Sequence, residues 1–454
     1  MSGLCASFVL KPIRVQQSIR QRKRRALADF SEAFRISTTG CTRATSYNWS
    51  NKILTLNGKT HVVWLDTVAT VCGRTYDHKT GRWGEIVRID DGSDNHTCPC
   101  ITADGDGHIR LTYGPHGVHA DWNQARVKWK RSERPGSLDG WEPVGEGYKA
   151  FWSCFGYNAT AASIVHTPSG LDAVVCRGGE HPPQTVFHAQ RAMGGWTSAK
   201  PLFGQEIEPQ YTHHYGHITC ASDGALYAAC HFYNIGGGDN QAVTGDRSRM
   251  RSYGAAVIKS ADLGETWTDL RGQVIHTPTT YNHDIAIPPL DQNVYVNTIA
   301  VDLSDTLWAL TLNPGLESDT IWLSRWTGQD WHTQQIESCL PEGRTAVESM
   351  MTIDTRDRLH IVVTAVEPSQ MGVASHWGHP SSEVFHLYSD NKGESFSCTQ
   401  VSPADPDVAN WLPSVPRSGP HHPVEELTIL YTHGDVGQGL SPDTKTEVWC
   451  VRMA

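Results

Sequence analysis

Three residues of this 454-residue chain have side chains of the types that an acid–base site needs. His96 and His116 are 20 residues apart, and Arg177 follows in a separate region of the sequence. Histidine is the side chain best suited to proton transfer near neutral pH. The guanidinium group of arginine offers several donors to a carboxylate. Together, these residue types predict a site that binds an acidic substrate and moves a proton.

A repeated architecture must bring such distant residues together. One unit recurs along the chain: a Gly or Asp turn, an alternating strand, a loop, a second strand and a tight turn that leads to an aromatic residue. Gly58–Trp64 leads to Trp83 in this way, and Gly224–Ala229 leads to Trp267. Seven copies predict an all-β fold, a seven-bladed β-propeller with four-stranded antiparallel blades.

The ends of the chain complete this prediction. The seventh copy stops one strand short, so we expect an N-terminal strand within residues 34–43 to close the ring and cover its edge. Residues 1–33 are predicted to be a basic, flexible leader, and residues 34–454 a single propeller domain.

Two of the aromatic turns carry a more specific pattern. Ser260–Trp267 matches the Asp-box motif S-x-D-x-G-x-T-W in full, and Ser389–Phe396 matches it with Asn391 and Phe396 as replacements. In this motif, glycine adopts positive φ, the Asp or Asn side chain caps the turn, and the aromatic ring packs between blades. We therefore interpret Asp262 as a structural residue and not as a catalytic acid.

The strand order predicts which loops share a face. Residues just before the first strand of a blade and just after its second strand lie on one face of the ring, near its axis. Reading these positions blade by blade yields the candidate site residues Asn95, His96, His116, Tyr157, Arg177, His214, Tyr215 and His231. Such a concentration of histidine, tyrosine and arginine favours a catalytic face.

The stretch from residue 94 to Arg177 resembles a known group of propellers. Asn95 and His96, then Ala103–Gly107, then Tyr113–Gly117 look like the BNR-repeat propellers that include polysaccharide lyases. These are the ulvan lyases and the L-rhamnose-α-1,4-D-glucuronate lyases, and the resemblance covers most of the chain beyond about residue 45. It implies β-elimination at a glucuronic acid residue.

The resemblance also implies roles for the candidate residues. Arg177 would neutralise the C6 carboxylate, His116 would abstract the C5 proton, and His96 would bind the carboxylate or assist the transfer. Tyr157 is the candidate for the third-blade tyrosine of the ulvan lyases. Its local context differs from theirs, which favours the rhamnosyl-glucuronate type. Tyr215, His214, His231 and Asn95 would line the substrate site.

Metal ions are a separate question. No cofactor is needed for the elimination, but His217, Cys230, His231 and His283 could form a structural zinc site across the fourth and fifth blades. The sequence does not decide whether a structural calcium ion lies in the central channel, as the resemblance to the propeller lyases allows.

Composition limits the other partners. The net charge of −10 argues against nucleic acid, and no stretch has the roughly 18 apolar residues of a membrane span. The 12 cysteines are scattered, as expected of free thiols in a reducing compartment. No secretory signal is visible, so we expect a cytoplasmic monomer that acts on an acidic oligo- or polysaccharide, with secretion left open.

Three alternatives remain at this stage. The first is ulvan itself as the substrate of the lyase. The second is a glycoside hydrolase on the same scaffold, either a rhamnosidase or a sialidase-like enzyme using Arg177, Arg344 and Glu348. The predicted face is poor in the paired carboxylic acids that most hydrolases need. The third is a non-catalytic carbohydrate-binding propeller.

Overall fold

The computed structural model describes residues 30–453, except for residues 68, 93–94, 115–126, 143–159, 179–184, 193–194, 205–211, 214, 236–249, 291–292, 314–319, 369–377, 406 and 437–444. Over this part of the chain, the regular structure consists of β-strands and one 3-10 turn, Glu337–Cys339. The strands form seven antiparallel sheets, so the prediction of an all-β seven-bladed propeller is confirmed. No helix in the described ranges is long and apolar enough to cross a membrane.

The first four blades follow one another along the chain. After β1 (Phe34–Gly40), blade 1 contains β2 (Ile53–Leu56), β3 (Lys59–Leu65), β4 (Thr70–Asp77), β5 (Arg82–Trp83) and β6 (Val87–Asp91). Blade 2 contains β7 (Cys100–Ala103), β8 (Ile109–Tyr113) and β9 (Lys128–Arg131), and a bridge between Ser132 and Trp141 marks its outer edge. Blade 3 contains β10 (Thr160–His166), β11 (Asp172–Gly178), β12 (Thr185–Ala192), β13 (Gly195–Trp196) and β14 (Lys200–Phe203). Blade 4 contains β15 (Thr212–His213), β16 (His217–Cys220), β17 (Leu226–Ile235), β18 (Met250–Ser260), β19 (Trp267–Thr268), β20 (Val274–Ile275) and β21 (Ala286–Ile287).

The last three blades are four-stranded. Blade 5 contains β22 (Tyr295–Val301), β23 (Leu307–Asn313), β24 (Thr320–Trp326) and β25 (Trp331–Gln335). Blade 6 contains β26 (Thr345–Ile353), β27 (Leu359–Val366), β28 (Glu383–Ser389) and β29 (Ser397–Gln400). Blade 7 contains β30 (Ala409–Ser414), β31 (Thr428–Asp435), β32 (Lys445–Arg452) and, on its outside, β1.

The N-terminal strand closes the ring, as predicted. Strand β1 pairs with β32, with Phe34 opposite Cys450 and Gly40 opposite Thr446. Pairing extends one step further, because Phe30 bridges Met453 and the Ser31 amide donates to the Arg452 carbonyl at 2.6 Å. The two ends of the described chain therefore share one sheet, and the outer edge of blade 7 is covered.

Hydrophobic layers between neighbouring blades hold the ring together. Between blades 3 and 4, Val175 and Phe203 pack in one cluster with Ile218 and Trp267. A similar layer between blades 5 and 6 includes Leu310, Leu323, Ile361 and Leu387. Each fully buried side chain of this size contributes roughly 1.5–3 kcal/mol, so each blade depends on its neighbours for stability.

The two Asp-box turns have the same geometry. Asp262 is a structural residue, since its Oδ1 accepts the Thr266 amide at 2.8 Å and the Ser260 hydroxyl at 2.8 Å. Gly264 has φ +90°, and a Cβ there would lie 2.2 Å from Cε1 of His188 in blade 3. Trp267 is buried edge-on against the same histidine. The turn therefore joins blade 4 to blade 3.

The outer strand is split in several blades. Strand β6 pairs with β4, β14 with β12 and β21 with β18, in each case beside a two-residue outer strand on the same partner. This arrangement places the loop before β21, which carries Tyr281 and His283, at the outer side of blade 4. The innermost strand of blade 5 is β22, which begins only at Tyr295.

Register shifts mark the innermost strands. They occur in β10 between Thr160 and Ser163, in β22 between Val296 and Thr298, in β26 between Ala346 and Glu348, and in β30 between Trp411 and Ser414. In β10, β22 and β26 the shift lies towards the start of the strand, and in β30 it lies towards the end. Bulges of this kind re-aim side chains next to functional sites, and here they surround the ring axis.

Candidate active site

A segment between the closing strand and blade 1 occupies the middle of the ring. This central segment, residues 41–52, is anchored to several blades. Trp411 Nε1 in blade 7 donates to the Thr42 carbonyl at 2.9 Å, and the Thr45 hydroxyl donates to the Leu412 carbonyl at 2.7 Å. The Asn48 side chain donates to Asn297 Oδ1 of blade 5 at 3.2 Å. The segment is thus fixed by strands that are remote from it in sequence.

The central segment contributes two rings to an aromatic stack. The Tyr47 and Trp49 ring centroids are 4.2 Å apart. Trp49 also stacks on Tyr215 of blade 4, with centroids 3.9 Å apart and planes 7° from parallel. Two guanidinium groups flank this stack: Arg43 Cζ lies 5.6 Å from the Tyr47 centroid, and Arg177 Cζ lies 5.0 Å from the Tyr215 centroid. The aromatic stack therefore positions two positive charges by cation–π contacts.

Arg177 is a buried cation that has no anionic partner among the described residues. It lies near the end of β11, a strand whose residues are all buried, and its side chain is 2% exposed. Its Nε and Nη1 atoms are buried and make no hydrogen bond to any protein group that the structure describes. An unpaired charge of this kind is costly to bury. A bound carboxylate would supply the missing acceptors.

His96 lies on the other side of the stack. Its ring centroid is 6.3 Å from that of Tyr47, and its Nε2 atom is hydrogen-bonded by Arg43 Nη1. The neighbouring Asn95 donates from its amide to the Thr42 hydroxyl at 3.2 Å. We predicted from the sequence that Asn95 binds substrate. In the structure, its hydrogen bond to Thr42 connects the His96 loop to the central segment.

Tyr215 and His231 continue the site towards blade 5. Their ring centroids are 6.0 Å apart, and His231 is 4.8 Å from the Tyr295 ring. Burial raises the pKa of the Tyr215 hydroxyl, although the nearby charges of Arg177 and Arg43 oppose this shift. Tyr215 is therefore protonated at neutral pH and able to donate.

Further charged groups are buried along the axis near the central segment. Arg417 donates to the Ser163 hydroxyl at 2.7 Å and to the Trp49 carbonyl at 3.0 Å, so it links the segment after β30 to the central segment. Burial lowers the pKa of Lys52 to about 8 and raises the pKa of Glu348 to about 8. The described part of the axis also holds Arg43, Arg177 and Arg417, so its net charge is positive whichever of Lys52 and Glu348 is ionised.

The predicted metal ligands are not assembled in one place. Cys230 lies in the hydrophobic layer with Phe203 and Phe232, and burial raises its pKa well above that of a free thiol. His231 is the next residue in the strand and so points to the opposite face. His217 is buried at the start of β16, whereas His283 is exposed at the outer side of blade 4. Among the described residues, no three His, Cys, Asp or Glu side chains form a group that could hold a metal ion.

The structure therefore assembles Asn95, His96, Arg177, Tyr215 and His231 around the axis. The other three candidates, His116, Tyr157 and His214, lie outside the described residues. The sequence reading did not include Arg43, Tyr47 and Trp49. Because they precede β2, the first strand of blade 1, the rule applied to the other blades would have found them.

Polysaccharide lyases are among the proteins of known structure that share this architecture. A PL25 ulvan lyase matches with a TM-score of 0.67 and 14% identity, covering 92% of this chain and 95% of the lyase. The fold is that of the ulvan lyases. A PL25 ulvan lyase structure bound to –[GlcA(1-4)Rha3S]– gives a TM-score of 0.66 at 13% identity with the same coverage. The polysaccharide lyase Uly1 gives 0.58 at 12%, covering 93% of this chain and 99% of the lyase. No protein-family model and no curated protein sequence matches the chain.

Proposed function

We propose that this protein is a polysaccharide lyase that cleaves the bond at O4 of a glucuronic acid residue by β-elimination. The observation that carries the proposal is Arg177, a buried guanidinium in the aromatic cluster at the ring axis, two of whose donors meet no acceptor among the described residues. The protein as a whole is acidic, yet this axis gathers Arg43, Arg177, Lys52 and Arg417. A positive centre within an acidic protein favours an anionic substrate.

Each chemical demand of the elimination has a candidate residue. Arg177 would bind the C6 carboxylate and make the C5 proton acidic. His116 would remove that proton, its electron pair would form the C4–C5 double bond, and the O4 leaving group would depart with a proton from an acid. The protonated Tyr215 beside Arg177 is suited to that donation. His96 would bind the carboxylate or assist the transfer, and His231, Tyr157 and His214 would contact the neighbouring sugar.

A rhamnose–glucuronate linkage is the substrate class that the comparison favours. The structural neighbour bound to –[GlcA(1-4)Rha3S]– holds a sugar pair of this kind in the same architecture. Sugar rings commonly stack on aromatic side chains, and Tyr47, Trp49 and Tyr215 form an aromatic surface beside Arg177. We therefore propose rhamnose-linked glucuronate as the substrate, and sulfated ulvan as one form of it to be tested.

The test is to incubate the protein with rhamnose–glucuronate polysaccharides, sulfated and unsulfated. A lyase releases reducing ends together with the ultraviolet absorbance of an unsaturated uronate. Reducing ends without that absorbance would indicate a hydrolase, and neither signal would indicate a binding protein. Both outcomes would refute the proposal.

Matched variants identify the residues that act. We expect Arg177→Met and His116→Ala each to abolish the absorbance increase. Arg271→Met and His332→Ala are their controls, since Arg271 is an exposed arginine that pairs with Asp330 at 3.3 Å, and His332 is exposed on β25. If the Arg177 variant kept near-normal activity, its assigned role would be wrong.

A further inference from the structure

We propose that Arg43 is a positioning residue that holds His96 as the neutral ring with its proton on Nδ1, so that His96 serves as a hydrogen-bond donor and not as the base. This inference rests on the proposed lyase function for its catalytic consequence. The protonation state of the His96 ring itself is inferred from the contact between Arg43 and His96.

The donors and acceptors of that contact determine which ring nitrogen carries the proton. Arg43 Nη1 is hydrogen-bonded to His96 Nε2. A guanidinium group has only donors and keeps its proton at every relevant pH. His96 Nε2 must therefore accept with its lone pair, and the proton of the neutral ring must be on Nδ1. Protonation of Nε2 would set two N–H groups against each other and place two positive charges side by side.

Arg43 is held rigidly enough to impose this state. Its carbonyl accepts the Ser46 hydroxyl at 2.9 Å, and its guanidinium lies over the Tyr47 ring. The turn that carries it is fixed to blade 7 through Thr42 and Thr45. On the other side, Asn95 binds the Thr42 hydroxyl. The arginine and the histidine are therefore joined twice, once by their side chains and once through Asn95 and Thr42.

The surrounding charges favour the neutral ring as well. The described titratable groups around Arg43 and His96 are Cys41 and Tyr47 on the central segment, Cys98 in the His96 loop, Glu348 from blade 6, Tyr215 from blade 4 and Arg177 beside Tyr215. Burial raises the pKa of Tyr47 and Tyr215, so both are neutral near pH 7. Burial raises the pKa of the Cys41 thiol, so this group is neutral as well. The pKa of Glu348 is raised to about 8, so this carboxyl does not cancel the charge of Arg43. A proton on His96 would lie beside the Arg43 guanidinium, with no compensating carboxylate among these groups.

The consequence for the reaction is a division of roles. The Nδ1–H of His96 would donate a hydrogen bond to the carboxylate that Arg177 binds, and it would keep its proton throughout. The C5 proton would pass to a different base, and O4 would take its proton from a different acid. His96 then contributes by stabilising the charge that develops on the carboxylate. Arg43 acts through His96 and needs no contact with the substrate.

The experiment measures the ring state directly and uses the full chain. Protein labelled with ¹⁵N in its histidine rings is examined by NMR, and the His96 signals are assigned from a His96→Gln sample. We expect a protonated Nδ1 and an unprotonated Nε2 that do not change between pH 5 and pH 8. In Arg43→Met, we expect the ring to titrate with an ordinary pKa of about 6.5. Arg35→Met is the matched control, because Arg35 is an exposed arginine on β1 that pairs with Glu447 at 3.0 Å.

Kinetics then test the catalytic part. We expect Arg43→Met to lower kcat by about 10²-fold, with little change in KM, and to add an ionisation near pH 6.5 to the pH profile. Arg43→Lys retains the charge and a donor, so it should recover part of kcat and suppress the added ionisation. A merely structural role for Arg43 would lower stability without creating that ionisation.

The possible outcomes separate this inference from the proposed function. A wild-type ring with the proton on Nε2, or one that titrates normally, overturns the inference even if the protein is a lyase. If the protein cleaves no uronate, the proposed function fails, while the ring state and its change in Arg43→Met still decide whether Arg43 controls His96. If Arg43→Met does not fold, the wild-type and Arg43→Lys spectra decide the same point.

Discussion

Replacing Arg177 by methionine should separate activity from stability. The guanidinium has two buried donors, Nε and Nη1, that no protein group in the described structure engages. Hydrogen bonds to a charged group are worth about 1.5–3 kcal/mol each. Two such hydrogen bonds from Arg177 to the substrate carboxylate would together contribute about 3–6 kcal/mol of transition-state binding. Since about 1.4 kcal/mol corresponds to a factor of ten in rate, kcat/KM should fall about 10²- to 10⁴-fold.

The same substitution should leave the folded protein at least as stable. Methionine fills much of the same volume and removes a buried charge that has no anionic partner in the described part of the chain, which is a favourable change for the unliganded protein. We expect the urea midpoint of Arg177→Met to equal or exceed that of the wild type. The assay pairs urea unfolding with the absorbance of the unsaturated product.

Two results would refute this reasoning. If Arg177→Met retained kcat/KM within about fivefold of wild type, the guanidinium would not bind the reacting carboxylate. If the variant were strongly destabilised, by more than about 3 kcal/mol, Arg177 would be paired in the resting protein. Arg271→Met, which alters an exposed ion pair, should change neither quantity appreciably.

Three further predictions concern the scaffold. Arg417→Met should lower the free energy of unfolding by about 3 kcal/mol because it removes several buried hydrogen bonds from a charged donor, and an unchanged urea midpoint would contradict this. Glu348 has its pKa raised by burial to about 8, so the folded state binds its proton more tightly than the unfolded state does. The stability contributed by that proton is complete below about pH 4.5 and is lost as pH rises towards 8. Between pH 5 and pH 7, the free energy of unfolding of the wild type should therefore fall by roughly 2–3 kcal/mol relative to that of Glu348→Gln. Parallel curves of stability against pH for the two proteins would contradict this prediction. Gly264→Ala should destabilise the protein more than Gly272→Ala, by at least about 2 kcal/mol. Both glycines have φ +90°, but only at Gly264 would a Cβ meet His188. Equal effects of the two substitutions would show that the contact with His188 is unimportant.

The sequence alone determined the repeated parts of this molecule. The turn at Ser260–Trp267 is specified by residues within eight positions of one another, and its hydrogen bonds are made within the same stretch. Strand alternation and turn residues are equally local, so the number of blades and the closing strand were predictable. The strand order also brought His96, Arg177, Tyr215 and His231 to one face, because every blade repeats the same path.

Only the tertiary structure decided what those residues meet. The splitting of the outer strand moved His283 away from the axis, and nothing near that residue in the sequence signals it. Arg43 reaches His96 because β1 closes the ring on blade 7 and delivers residues 41–52 to its centre. Whether Arg177 has an anionic partner depends on every strand around it. Such properties arise from contacts between residues that are remote in the sequence, and local sequence patterns carry no information about them.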